Sequence, residues 1–365
     1  MKKVLAALLA AALLLSVAPG AQAAAKKVRV AFVLLETIND QGWTTAHYNG
    51  IQAMKKALGD QVEVSYTENV MNPADSERVI RTYAQQGYDI IFATTFTHMD
   101  AMFKVAGEFP NVKFMHCSGY KTRPNMGTYM VRIEQADYLA GYMAGLMGFK
   151  NAGTVATQPI PEVVRGINAF TLGQVRGLNE AGVKFDANKV NTVVWLKAWR
   201  DPVNETTLAE TLAGRGHDLI RQMADTADSA KASCAKGVPA IGYCMDAVGY
   251  GAACTLVSTT FNWGRIYTEQ VQKVLDGTWK PVEYFGGFEG HGVGLSPFGK
   301  AVPKAVQDKV LAVQAEMEKG IDNSFAGPVP DQSGKERIAK GQKASDKDLL
   351  TMQWFVQGVN GKLPD

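Results

Sequence analysis

The sequence contains no apolar run of about 18 residues beyond its first two dozen positions, so it predicts no helix that spans a membrane. It has four cysteines among 365 residues, and they are too far apart to form a CxxC metal site. Without Lys2 and Lys3, which lie in a leader segment, the formal charge falls from +3 to +1. A nearly neutral chain argues against nucleic acid as a partner.

Catalytic motifs are also missing. The chain has no GxSxG nucleophile turn, no HExxH zinc motif, no phosphate-binding P-loop and no GxGxxG at the start of its first predicted helix. Its five histidines do not have the spacing of metal ligands. The sequence therefore predicts a protein that is not an enzyme and that needs neither a metal nor a cofactor.

The first 23 residues have the pattern of a cleavable signal peptide. Lys2 and Lys3 are followed by an apolar run over residues 4–18, which is short for a transmembrane helix. Residues 19–20 end that run, and residues 21–23 read Ala-Gln-Ala, the small-x-small pattern of a cleavage site. We expect export to the periplasm. A retained anchor is the alternative, and the cleavage site has no cysteine that would support a lipid anchor.

The cysteines of an exported protein meet an oxidising compartment, where a disulfide is stable. Cys234, Cys244 and Cys254 follow one another at equal spacing, so loop length does not choose between neighbouring pairs. We expect one bridge among these three. Cys117 lies far away near the end of a predicted strand, and we expect a buried thiol there.

Short apolar segments alternate with amphipathic segments along the chain, which is typical of repeated strand–helix units. This alternation of strand and helix segments occurs in two successive rounds along the chain. We therefore expect an α/β protein with two similar lobes, each built on a parallel sheet with helices on both faces. The predicted strands cover residues 28–35, 61–67, 90–94, 112–117, 154–157, 190–195, 219–222, 240–244 and 255–260. The predicted helices cover residues 42–58, 73–86, 99–109, 134–149, 163–180, 204–215 and 304–319.

Ligands of parallel α/β sheets bind beyond the carboxyl ends of the strands. The segments that follow the predicted strands are rich in aromatic, acidic and amide side chains. This mixture suits a flat heteroaromatic solute, whose faces stack on rings and whose edges need hydrogen-bond partners. The segments are residues 36–45, 95–100, 118–120, 158–162, 199–201, 224–228 and 244–246.

One tryptophan follows a predicted strand in each half of the chain, Trp43 and Trp199. We expect the two indoles to hold a planar ligand between them. The alternative for Trp43 is packing within its own lobe. Asn39 or Asp40 is expected to cap the helix that starts near Trp43. Asp201 either caps the next helix or contacts the ligand.

Four further residues near strand ends are candidates for ligand contact. Asp246 offers a carboxylate to sugar hydroxyls or ring N–H groups, unless it is a solvated loop acid. Trp263, which follows Asn262, either lines the hinge between the lobes or starts a helix as a packing residue. His47 lies four residues beyond Trp43 on the same helix face, and it either reaches the cleft or is a packed neutral histidine.

Several short motifs occur together in this chain, and each one alone is a weak signal. They are Asp40 with Trp43 and Gly50, residues 93–100, 118–121, 124–125, 138–141, 144–145, 159–163 and 165–170, Trp199 with residues 201–202, Asp246, and residues 263–264, 352–356 and 358–359. In this combination the chain resembles the basic membrane protein family of solute-binding proteins, which serve ABC importers. The resemblance covers nearly all of the chain after the leader.

The resemblance implies a type I periplasmic binding fold in which the chain crosses between two lobes three times. We expect an N-terminal lobe of residues 24–131 and 259–280 and a C-terminal lobe of residues 132–258 and 281–329. Residues 330–365 are expected to form an extension that packs on the lobes. The expected partner is an ABC permease of the inner membrane, and the binding protein itself is expected to be a monomer.

The resemblance also implies a purine base or nucleoside as ligand, gripped by two aromatic rings and by carboxylates of the cleft. The segment from Asp40 to Trp43, with His47, is similar to the branch associated with nucleobases. Many nucleoside-binding relatives have Phe and Asn in place of Trp43 and Thr44. The predicted ligand-binding set is Asp40, Trp43, Thr44, His47, Phe96, Thr97, Trp199, Asp225, Asp246, Asn262 and Trp263. Two other functions stay open: a sensor subunit that docks on a signalling receptor, and a nucleoside hydrolase that uses the cleft carboxylates.

Overall fold

The computed structural model describes residues 27–364, so the signal peptide predicted for residues 1–23 lies outside the described residues. Strands and helices alternate over most of this range, as the sequence predicts. The strands are β1 (Val28–Val33), β2 (Val62–Thr67), β3 (Ile90–Ala93), β4 (Lys113–Cys117), β5 (Met126–Val131), β6 (Ala152–Ala156), β7 (Asn191–Trp195), β8 (Leu219–Met223), β9 (Ala240–Cys244), β10 (Thr255–Phe261), β11 (Glu283–Gly286), β12 (Val293–Leu295), β13 (Val329–Pro330), β14 (Glu336–Ile338) and β15 (Val359–Asn360). The helices are α1 (Trp43–Leu58), α2 (Pro73–Gln85), α3 (Met99–Glu108), α4 (Ile133–Leu146), α5 (Pro161–Glu180), α6 (Pro202–Gly214), α7 (Asp228–Ala235), α8 (Trp263–Leu275), α9 (Lys304–Glu318) and α10 (Asp346–Leu350).

The first sheet has six strands in the order β11-β5-β4-β3-β1-β2, and all neighbouring strands are parallel. Side chains of β1 alternate between two apolar layers. Val30 and Phe32 belong to the layer that holds α1 and α8, and Ala31 and Val33 belong to the layer of α2 and α3. A strand that is covered on both faces needs apolar residues at successive positions, which explains the continuous apolar run of β1.

The second sheet has seven strands in the order β12-β10-β9-β8-β6-β7-β15. Strand β12 is antiparallel to β10, and the other pairs are parallel. The backbones of α4 and α5 approach closely because glycine stands at their contact. A Cβ built on Gly141 would lie 1.9 Å from the carbonyl oxygen of Phe170, and one on Gly173 would lie 2.1 Å from that of Tyr138. This pair of helices covers one face of the sheet, and α6 and α7 cover the other.

The chain passes from one sheet to the other three times, after Val131, after Phe261 and after Gly286. The predicted α/β class with two lobes built on parallel sheets is confirmed. Strand β11 pairs with β5 of the first sheet, whereas the sequence prediction assigned residues 281–329 to the second lobe. Strand β5, the partner of β11, lies about 150 residues earlier in the chain, and no pattern of neighbouring residues predicts a pairing over that distance. The remaining lobe boundaries stay a prediction.

The C-terminal segment packs against the second sheet and its helices. Strand β15 pairs with the edge strand β7. The side chain of Asn168 in α5 donates to the carbonyl oxygen of Trp354 at 2.7 Å and accepts from the amide of Val356 at 3.0 Å. An ion pair between Arg132 and Asp346 ties α10 to the start of α4. The segment is therefore held at several separate points.

Cys234 and Cys254 form a disulfide, and Cys117 and Cys244 are buried thiols. The expected single bridge among the last three cysteines and the buried thiol at Cys117 are confirmed. Over residues 27–364 no helix has both the length and the apolar character that a bilayer crossing requires. In the same range no three His, Cys, Asp or Glu side chains come together as a metal ion would need.

Candidate ligand-binding site

A narrow cavity lies where the carboxyl ends of the two sheets meet, and residues of both sheets line it. The first sheet and its loops contribute Leu35, Trp43, Thr95, Phe96 and Ser118, and the second contributes Thr157, Ile160, Glu162, Val163, Trp199, Asp225 and Tyr243. Both halves of the molecule therefore form the walls, as the rule for strand ends predicts.

Trp43 is the first residue of α1, and its indole lines the cavity. Its Nε1 donates to the carbonyl oxygen of Thr94 at 2.8 Å, and the rings of His47 and Phe261 pack edge-on against it. The ring is mostly buried, yet it presents a surface to the cavity. The indole therefore packs in its own lobe and also lines the cleft, and its stacking on a ligand stays a prediction.

Asp40 fixes the start of α1. Its carboxylate accepts hydrogen bonds from the backbone amides of Gly42, Thr44 and Thr45 at 2.9, 2.7 and 2.9 Å. These amides have no acceptor within the helix, so the carboxylate of Asp40 accepts their hydrogen bonds. Its negative charge also interacts favourably with the positive end of the helix dipole. The capping role expected for Asn39 or Asp40 falls to Asp40, which places Trp43 without lining the cavity itself.

Trp199 lines the same cavity from the loop between β7 and α6, and its side chain is half-buried. The carbonyl oxygen of Trp199 accepts from the amide of Asp225 at 3.2 Å, which joins two loops of the second sheet. Asp201 caps α6 by accepting from the amide of Asn204 at 3.1 Å. The two indoles named by the sequence thus border one cavity from opposite lobes.

Two buried acids also line the cavity. Asp225 is buried, and no group among the described residues donates a hydrogen bond to its carboxylate. Burial, followed by the charges of Asp40 and Glu205, raises the pKa of Asp225 well above its usual range. Burial also raises the pKa of Glu162 to about 7, and Tyr243 donates a hydrogen bond to this carboxyl at 3.2 Å. Acids of this kind accept from a ligand N–H when ionised and donate to a ring nitrogen when protonated.

His47 and Thr44 do not line the cavity within the described chain. The imidazole of His47 is fully buried, stacks on Trp263 at a ring distance of 4.5 Å and hydrogen-bonds the hydroxyl of Tyr267. Burial lowers the pKa of His47 well below its usual range, so the ring is neutral and acts as a packing residue. Thr44 accepts through its hydroxyl from the amide of Glu36 at 3.2 Å.

The other predicted residues that do not line the cavity make packing contacts or hydrogen bonds elsewhere in the fold. Trp263 is fully buried and stacks on Phe261 at 5.0 Å. Asn262 donates to the carbonyl oxygen of His291 at 2.9 Å, and Asp246 caps a short 3₁₀ helix by accepting from the amide of Val248. Thr97 lies in a 3₁₀ turn beside Phe96 and is half-buried. Of the predicted set, the cavity brings together Trp43, Phe96, Trp199 and Asp225.

Sequence reasoning did not select Glu162, Tyr243 or Ser118, although all three line the cavity. Glu162 and Ser118 lie in segments that follow predicted strands, so a signal existed. Tyr243 is the second-last residue of β9, and nothing in the sequence shows that its hydroxyl meets Glu162. The remaining lining residues that were not selected are Leu35, Thr95, Thr157, Ile160 and Val163.

The comparisons with known proteins agree with this architecture. The family model for PnrA-like ABC transporter substrate-binding proteins matches residues 27–332. The chain is 36% identical over 346 residues to a purine-binding protein of Brucella abortus, a match that covers 94% of this chain and 96% of that protein. It is 35% identical over 347 residues to a protein of Haloferax volcanii, provisionally named as an ABC transporter glucose-binding protein, with coverage of 94% and 83%.

Solved structures show the same fold. A solute-binding protein of Conexibacter woesei superposes with a TM-score of 0.65 at 23% identity, over 80% of this chain and 97% of that one. A solute-binding protein of Aeropyrum pernix gives a TM-score of 0.65 at 19% identity, over 81% and 87% of the two chains.

Proposed function

The chain belongs to the PnrA-like family of ABC transporter substrate-binding proteins, and from this membership we propose that its ligand is a purine, as the base or the nucleoside. The observation that carries the proposal is one cavity lined by an indole from each lobe together with two buried carboxyl groups, those of Asp225 and Glu162. The similarity to the purine-binding protein of Brucella abortus supports the same ligand class.

The chemistry of the cavity fits a flat nitrogen heterocycle. Indoles favour contact with the face of another aromatic ring, and such contacts add about 0.5 to 1.5 kcal/mol beyond the burial of area. The carboxyl group of Asp225 has no hydrogen-bond partner among residues 27–364, so an N–H or a ring nitrogen of the ligand supplies the hydrogen bond that a buried acid requires. Three apolar side chains, Leu35, Ile160 and Val163, also form part of the wall.

A sugar is the second candidate, because the relative from Haloferax volcanii is named for glucose. Carboxylates and indoles also serve sugars, since a pyranose has both hydroxyl groups and an apolar face. A sugar, however, needs a polar partner at almost every ring carbon, and much of this cavity is formed by apolar and aromatic groups. The wall therefore favours the purine.

Isothermal titration calorimetry separates the two candidates. The protein is refolded once from denaturant to remove any bound ligand and is then titrated with adenine, guanine, hypoxanthine, adenosine and glucose. We expect at least one purine to bind with a micromolar or lower Kd and glucose to give no heat of binding. Glucose binding in the absence of purine binding overturns the proposal.

We also propose that the protein only binds its ligand and does not convert it, and that it delivers the ligand to a permease from the periplasm. Overnight incubation with adenosine, followed by chromatography, should return adenosine alone; released adenine identifies a hydrolase. In vesicles that carry the permease, ligand-loaded protein should stimulate ATP hydrolysis. A sensor subunit would bind the same ligand without this stimulation.

A further inference from the structure

A second cavity, of about 400 Å³, adjoins the first one. The two cavities share four lining residues, Phe96, Ser118, Ile160 and Glu162. The two cavities therefore lie side by side, with Ser118 and Glu162 at their common boundary.

Apolar groups gather around the second cavity and at its mouth. Tyr120 is 70% exposed and Leu350 is 44% exposed, and both line this cavity. The ring of Tyr120 lies 6.5 Å from that of Phe96, which is also partly exposed. Inside, Met130 and Pro161 continue the apolar wall. Exposed apolar side chains that cluster at one opening are typical of a binding surface.

The C-terminal segment forms part of this cavity. Leu350, Thr351 and Gln353 line it, and the ion pair of Arg132 with Asp346 holds the short helix α10 in place. This helix also packs on α5, whose first turn carries Glu162. The extension therefore completes a wall that the two lobes alone leave open.

The polar groups of the second cavity exclude two kinds of occupant. Arg165 is buried, but its Nε donates to the buried carboxylate of Glu134 at 3.0 Å, so its charge is balanced and does not favour an anion such as a phosphate. The Nη2 of Arg165 has no partner among the described residues and offers one donor group. The hydroxyl of Ser118 contacts only sulfur atoms, those of Cys117 and Met130. Other polar side chains, such as Thr351 and Gln353, also line the cavity, but most of its exposed wall is apolar. A pentose hydroxyl that is buried against this wall without a partner weakens binding.

We propose that the second cavity is a subsite for an apolar side group carried by the ligand's ring, so that the preferred ligands are purine bases with an alkyl or aryl substituent. This inference rests on the proposed function, because the ring itself is placed in the first cavity. Each methylene group that leaves water improves binding about fourfold. A side group of four carbons, partly covered by Phe96 and Leu350, should therefore improve binding by about tenfold or more.

The test compares adenine with adenine that carries a butyl group at N6 or at N9, and with adenosine, by calorimetry on the full-length mature protein. We expect one of the two butyl derivatives to bind at least tenfold more tightly than adenine, and adenosine to bind no more tightly than that derivative. The position that gains affinity identifies the ring edge that faces the second cavity.

Variants at the mouth of the second cavity test whether the gain in affinity of the butyl derivative comes from this surface. Tyr120→Ser and Leu350→Ser should each weaken binding of the preferred butyl derivative about fivefold, while adenine stays within twofold because neither side chain lines the first cavity. Leu311→Ser is the matched control, since Leu311 is 43% exposed on α9 and does not line either cavity. It should leave both affinities unchanged.

Three results overturn the inference. If adenine binds and neither butyl group improves its affinity, the second cavity is not a subsite and only this inference fails. If adenosine binds more tightly than both butyl derivatives and the two mouth variants weaken it, the occupant is a hydroxylated group. If neither adenine nor any derivative binds, the proposed function fails and the inference fails with it.

Discussion

Gly42 and Asp225 touch across the cleft between the two lobes. A Cβ built on Gly42 would lie 2.0 Å from the carbonyl oxygen of Asp225 and 2.4 Å from its carbonyl carbon. Beside this contact, the side-chain oxygen of Gln41 accepts a hydrogen bond from Nζ of Lys231 at 3.1 Å. The first turn of α1 thus meets the loop after β8 at the edge of the ligand cavity, where a side chain of any size would keep the lobes apart.

Gly42→Ala should weaken ligand binding at least tenfold. The added methyl group has no room against a backbone carbonyl, so the lobes remain further apart and the two indoles no longer border one cavity. Small-angle X-ray scattering with saturating ligand should show a larger radius of gyration than the parent protein. Gly214→Ala is the control, because a Cβ there meets nothing within 4 Å. Parental affinity in Gly42→Ala would show that closure does not depend on this contact.

Trp199→Ala should weaken purine binding by an order of magnitude or more while lowering the melting temperature only slightly. The indole is half-buried and lines the cavity, so its loss removes a ring contact from the ligand more than from the core. Calorimetry and a thermal melt measure the two effects. Trp279→Ala is the control, since Trp279 is also half-buried but lies outside the cavity. Equal loss of affinity in both variants would contradict a direct role for Trp199.

Glu162→Gln should stabilise the ligand-free protein at neutral and alkaline pH. Burial raises the pKa of Glu162 in the folded protein to about 7, above the value of about 4.3 in an unfolded chain. The stability that this acid contributes is fully present below its unfolded pKa and is lost as the pH rises through about 7. Glutamine does not titrate, so the variant should gain about 3 to 4 kcal/mol over the parent protein above that pH.

Urea unfolding at pH about 4.5, 6 and 8 measures this gain. We expect the difference between Glu162→Gln and the parent protein to be small at the lowest pH, to be larger at the middle value and to be largest at the highest, because it levels off only above about pH 7. Glu283→Gln, at an exposed glutamate on β11, supplies the control for simple loss of a negative charge. A difference that is constant over the whole range would show that Glu162 is ionised in the fold.

Replacing Cys234 and Cys254 with serine should lower the free energy of unfolding by about 3 kcal/mol, because the bridge closes a loop of 20 residues in the unfolded chain. Urea unfolding under oxidising conditions gives the difference. A reducing agent should destabilise the parent protein by a similar amount and leave the double variant unchanged. Loss of stability in the reduced double variant would assign the effect to another group.

The local parts of the fold were predictable, and the distant pairings were not. The start of α1 follows from Asp40 and the apolar period after it, because capping and amphipathicity involve residues a few positions apart. Strand β5 was missed, since Gly127 and Thr128 interrupt its apolar pattern. Strand β11 was missed as well, and the two strands stabilise each other across a long interval of sequence.

In the candidate site, too, features set by local sequence were predictable and contacts between distant residues were not. Trp43 and Trp199 were found because each follows a strand, and the ends of parallel strands meet at one edge. Glu162 lies in a segment that follows a predicted strand, but an acid beside the start of a helix also has an ordinary local explanation. Only the meeting with Tyr243, 81 residues later, and the burial of the carboxyl group distinguish it. His47 shares a helix face with Trp43, and Trp263 lies at the predicted hinge, so their positions suggested contact with the ligand. In the fold their rings stack on each other, and both act as packing residues.

Strand β15, Val359–Asn360, pairs with β7 through Asn191 and Thr192, so the second sheet takes an edge strand from a segment far later in the chain. The first sheet takes its edge strand β11 from a segment that follows most of the second lobe. Each half therefore reaches its full strand order only with the help of a segment that lies beyond the other half's first strands, so the two lobes are linked in assembly as well as in ligand binding.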